Sequence, residues 1–91
     1  MMEDLDSRVR RLIDGGASRA GVKHFLEGVD AAAKRQARGL QGNREDRDRA
    51  RNATQTVDRV GRLLFFLHHG TPAQGATSAD RDLYVLFARL E

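Results

Sequence analysis

The 91-residue chain has no cysteine, no tryptophan and a single proline. Without cysteine it forms no disulfide, no zinc–thiolate site and no iron–sulfur cluster, and it has no thiol nucleophile. Four Phe and one Tyr are the only aromatic residues. With so few aromatics and so few turn signals, an all-β sandwich is a poor fit. No apolar run approaches the roughly 18 residues of a membrane span, and the acidic opening Met1-Met2-Glu3-Asp4 lacks the basic start of a signal peptide. The expectation is one soluble, cytoplasmic domain covering residues 1–91, with no membrane association. Lysine is also scarce: fourteen of the sixteen basic residues are Arg. GC-rich coding produces that bias, and so does selection for bidentate contacts to phosphate or carboxylate.

What is present is helical periodicity. Leu5, Val9, Leu12 and Ile13 make one stripe over a helix expected from Glu3 to Asp14, with acids in its first turn and Gly15-Gly16 as the stop. A second helix is predicted over residues 19–39, with Ser18 as N-cap. Val22, Phe25, Leu26, Val29, Ala33, Ala37 and Leu40 recur along it at three- and four-residue steps. Asp30 and Lys34 are placed to form an i,i+4 pair. Gly28 interrupts the pattern and suggests a kink or a close helix crossing.

A third helix is predicted over residues 43–69, with Asn43 as N-cap and a length of about 40 Å. Ala50, Ala53, Val57, Val60, Leu64 and Leu67 step 3-4-3-4-3 along its seam. The seam is alanine-lined at its start and Leu/Phe-rich at its end, whereas the second helix runs from strong to weak. Antiparallel pairing matches the two, and the short Leu40–Asn43 connection requires it. After a loop at residues 70–77, Thr77-Ser78-Ala79-Asp80 reads as a capping box with Asp in the Glu position. Leu83, Leu86, Phe87 and Leu90 follow as a fourth apolar stripe. Leu90-Glu91 is also the dipeptide that a common restriction-site fusion leaves, so a vector origin is an alternative for these two residues. The expected fold class is all-α: a small bundle of about four helices built on a long antiparallel hairpin. A dimer would add buried surface to so small a domain.

Charge is unevenly distributed. Residues 1–33 and 63–91 each carry net −1, whereas residues 34–62 hold nine basic and four acidic groups, net +5. The surplus lies on the distal half of the hairpin. On a helical wheel Arg44, Arg51 and Arg62 fall within about 20° of one another, roughly opposite Val57. Arg35, Arg38, Arg44, Arg47, Arg51 and Arg62 are the expected contacts to acidic or phosphate groups of a partner. Internal i,i+4 pairs such as Glu45–Arg49 and Asp58–Arg62 would instead make the stripe an ordinary solvated face. Leu63-Leu64-Phe65-Phe66-Leu67 is apolar around most of the helix, which nominates Phe65 and Phe66 as an apolar interface.

Motifs for catalysis and metals fail on spacing. Gly16-Ala17-Ser18-Arg19-Ala20 lacks the final glycine and the preceding strand of a nucleophile elbow. Gly16, Gly21, Val22 and Lys23 do not complete a phosphate loop, and Asn52-Ala53-Thr54 is a glycosylation sequon placed inside a helix. Adjacent His68 and His69 diverge by about 100° on a helix and do not chelate, and His24 has no partner at helical spacing. A helix-turn-helix centred on Gly28 would put Lys23, Glu27 and Lys34 where apolar supports belong. No enzyme, cofactor or metal is expected. The expected function is a non-enzymatic binding protein that acts on another protein as a stoichiometric adaptor or inhibitor, of the size that phages and mobile elements often encode. The alternative is a nucleic-acid-binding dimer using the same arginines on phosphates.

Overall fold

A computed structural model describes residues 4–39 and 44–91, excluding the side chains of residues 44–46. The N-cap assigned to Asn43 therefore lies outside the described residues. Four helices appear in chain order: α1 (Leu5–Asp14), α2 (Arg19–Gly39), α3 (Arg44–His69) and α4 (Ser78–Phe87), with no strand among the described residues. The all-α hairpin bundle predicted from periodicity is the fold observed.

Local chemistry sets the helix ends. Asp4 is the N-cap of α1 rather than part of its first turn: its Oδ1 accepts from the Ser7 N–H at 2.8 Å. The helix stops where Gly16 takes φ +91°, a left-handed conformation that a side chain would strain. Ser18 caps α2 by accepting the Gly21 N–H at 3.2 Å. The capping box of α4 is complete, with Thr77 Oγ1 accepting from the Asp80 N–H at 3.1 Å and Asp80 Oδ2 accepting from the Thr77 N–H at 3.0 Å. The α4 pattern was expected to continue to Leu90, but the helix ends at Phe87. Arg89 and Leu90 close with tighter i→i−3 backbone bonds, and the Glu91 carbonyl accepts the Arg19 N–H at 3.0 Å.

The hairpin of α2 and α3 forms the body of the molecule, whose extents are 44 × 28 × 19 Å. At 1.5 Å per residue the 26 residues of α3 account for most of the long axis. Near the distal end Ala33 and Ala53 are the buried residues, and their small size lets the helices approach. At the base a core of Val9, Val22, Leu26, Val60, Leu63 and Phe87 closes under α1 and α4. The α3 seam differs from the predicted one. Leu63 is fully buried and Leu64 only partly, because α4 packs on the flank of α3 and draws Leu63 inward. Gly28 marks neither a kink nor a close crossing: α2 runs unbroken through it, and a Cβ built there meets no atom within 4 Å.

Candidate functional site

Two groups of arginines sit on the α2–α3 hairpin in different surroundings. At the base, Arg59 forks onto Asp6 of α1, donating from Nη1 to Oδ1 and from Nη2 to Oδ2 at 3.0 Å, while its Nε donates to Asp80 Oδ1 at 3.0 Å. The Arg62 Nε donates to Asp80 Oδ2 at 2.6 Å. Asp80 is wholly buried, so α4 brings a carboxylate into the interior and two α3 arginines neutralise it. Burial alone pushes the Asp80 carboxyl up, but the Thr77 N–H and the Arg62 and Arg59 guanidinium groups together outweigh it, and the acid sits below its ordinary value. Hydrogen bonding to Asp6 holds the Arg59 guanidinium above its ordinary value against desolvation. The Tyr84 hydroxyl donates to the Arg62 carbonyl at 3.1 Å, and burial raises its pKa.

Arg62 is therefore committed inside the fold, although its wheel position grouped it with the distal arginines. The i,i+4 partner expected for it, Asp58, gives way to Asp80 because a carboxylate buried by α4 needs the cation more than an exposed one does. The distal group differs. Arg35, Arg38, Arg47, Arg49 and Arg51 are exposed, and none has an ion-pair partner among the described residues. Arg44 opens α3, and its side chain lies outside the described residues, as does that of Glu45, the expected partner of Arg49. On α2, Asp30 pairs with Lys34 at 2.8 Å as the spacing predicted. With the two base arginines set aside, residues 34–51 hold seven basic and three acidic groups, a surplus of four.

The two phenylalanines also separate. Phe66 stacks on Tyr84 at 4.3 Å between ring centroids with 9° between planes, and packs against the core. Phe65 is 40% exposed and lies beside the His69 ring at 4.3 Å. Phe65 thus stays on the surface while Phe66 faces inward. Among the described residues no group of three His, Cys, Asp or Glu converges in the manner of a metal site. No described helix is long and apolar enough to cross a membrane.

A groove of about 670 Å³ runs along the α2–α3 hairpin beyond α1. Phe25, Val29, Ala33 and Ala53 supply its apolar surface, and Arg8 and Arg49 are its cationic members. The Arg8 guanidinium lies 4.9 Å from the centre of the Phe25 ring. Sequence reasoning missed this groove and the Asp80 cluster. Gly28 was the one available signal for the groove, and the capping box showed Asp80 only as a helix cap. No protein-family model matches the chain, and neither a curated protein nor a solved structure matches it.

Proposed function

We propose that this chain is a small non-enzymatic binding protein that docks an acidic face of a protein partner with its distal arginines, acting as a stoichiometric adaptor or inhibitor. The supporting observation is the division of labour along the α2–α3 hairpin. Arg59 and Arg62 are consumed by Asp6 and Asp80, whereas Arg35, Arg38, Arg47 and Arg51 are exposed with no acid of the described residues against them. Exposed guanidinium groups grouped at one end of an elongated bundle form a field that steers acidic partners and presents planar forks to carboxylates. Asp48 lies exposed among them and none of the five aromatics lies between Lys34 and Arg62, so the surface lacks the stacking platform of single-strand binders.

The test is a triple charge reversal, Arg38→Glu, Arg47→Glu and Arg51→Glu, compared with wild type by quantitative crosslinking in the native cell. Circular dichroism serves as the fold control. A protein crosslinked at fixed stoichiometry to wild type and lost from the helical triple variant is the expected result, and its retention overturns the reading. Fluorescence anisotropy against duplex DNA, single-stranded DNA and RNA checks the competing assignment. Binding that survives physiological salt with a steep log–log salt slope would move the function to phosphate tracking.

A further inference from the structure

We infer that the α2–α3 groove is the seat for an acidic amphipathic helix of the protein partner. This inference deepens the docking function proposed above and rests on it.

The first support is an internal precedent. α1 is itself a helix laid on the base of the hairpin, with Val9 buried among Val22, Leu26, Val60 and Leu63, and with Asp6 held by Arg59 of α3. Its recognition chemistry is an apolar stripe of Val9 with Leu5 and Ile13 in the hairpin plus one carboxylate on an α3 arginine. Beyond α1 the same two walls continue. Along α3, Arg49, Asn52 and Thr56 line the groove, and Arg49 stands about 15 Å further up the helix than Arg59 and about 80° round from it. Along α2, Phe25, Val29 and Ala33 offer the apolar contact.

Charge selects the occupant. The twelve described residues lining the groove include Arg8 and Arg49 and no acid. A helix with an apolar stripe flanked by Glu or Asp complements both the floor and the cations, whereas a basic helix would meet like charge.

Gly28 leaves room for such a helix. Glycine inside a helix is unfavourable relative to alanine, and it leaves the backbone open to close approach. No described residue approaches Gly28, since a Cβ there meets no atom within 4 Å, and the residue lines the groove. The space left by its missing side chain is open to an incoming helix.

The experiment uses the full chain and two fluorescein-labelled, alanine-based helical peptides of about 14 residues, about 21 Å of helix. Both carry Leu at i, i+3, i+4 and i+7; one has Glu on the flanks and its twin has Lys. The acidic peptide is expected to bind at least about tenfold more tightly than the basic twin. Gly28→Phe and Arg49→Glu are each expected to weaken it about tenfold or more. Gly61→Ala, another helical glycine with open space at its Cβ but outside the groove, is expected to leave it unchanged. A spin label on the acidic peptide should broaden the amides of Val29, Ala33 and Ala53 in wild type and leave those of Phe65 and Val85 sharp, a readout that needs no variant to fold. No binding by the acidic peptide, equal binding by its twin, or broadening elsewhere overturns the proposal. So does a concentration-dependent dimer in sedimentation that Gly28→Phe dissolves, which would assign the groove to a second copy of the chain. In the cellular crosslinking assay, loss in the triple arginine variant with retention in Gly28→Phe removes the groove and leaves the docking function standing. The opposite pattern removes the distal arginines and leaves the groove.

Discussion

Asp80 is where the chain takes its largest electrostatic risk. A fully buried carboxylate is tolerable only because two guanidinium groups and a backbone N–H meet it, and removing it leaves Arg62 without its partner and α4 without half of its capping box. Asp80→Ala is expected to lower the unfolding free energy by about 3 kcal/mol, read from the urea midpoint. The pH dependence follows from the same contacts. The folded pKa of Asp80 is depressed, so its contribution is fully present above the ordinary carboxylate value near 3.8 and disappears as pH falls through the lower folded value. Asp4, depressed by the Ser7 N–H, acts in the same direction. Acid titration should therefore leave stability flat down to about pH 5 on these groups' account and erode it below. Asp80→Asn should flatten that acid limb, and an unchanged limb would show that the cluster does not govern it.

At the scale of elements, each helix has a boundary chemistry that can be tested separately. Thr77 supplies the side-chain half of the α4 capping box, and Thr77→Ala should destabilise by about 1 kcal/mol in denaturant unfolding. Gly61, inside α3, is open at its Cβ position, so Gly61→Ala should raise stability by up to about 1 kcal/mol. A destabilised Gly61→Ala would show that something packs there. Periodicity located all four helices because each buries one stripe, and stripe spacing is a local property of sequence. It misjudged which residues of α3 are innermost. Val60, Leu63 and Leu67 are buried and Leu64 is not fully so, since α3 is packed by α2 on one side and α4 on another. Residues satisfying two contacts at once are not picked out by a single seam.

For the molecule as a whole, core volume is concentrated at one end. Phe87 and Leu26 fill the base, while Ala33 and Ala53 are the buried residues toward the distal end. Phe87→Ala should be severe, about 3–5 kcal/mol, against a total stability for 91 residues of roughly 5–14 kcal/mol. Near-loss of the helical signal at moderate urea would report it. Leu26 should behave alike, whereas substitutions among the exposed distal arginines should leave the midpoint within about 0.5 kcal/mol. The molecule thus has a stability end and an exposed cationic end.

The sequence by itself determined the fold class, the hairpin pairing, the caps at Ser18 and Thr77 and the position of the charge surplus. All of these follow from neighbours within one or two helical turns or from a connection only four residues long. It could not determine which arginines are free. Arg51 and Arg62 look alike on a wheel, but Arg62 is met by Asp80, eighteen residues away along the chain, and Arg59 by Asp6. Only the tertiary structure decided that, because packing α1 and α4 against the base of α3 removes water from those two guanidinium groups and puts carboxylates there in its place.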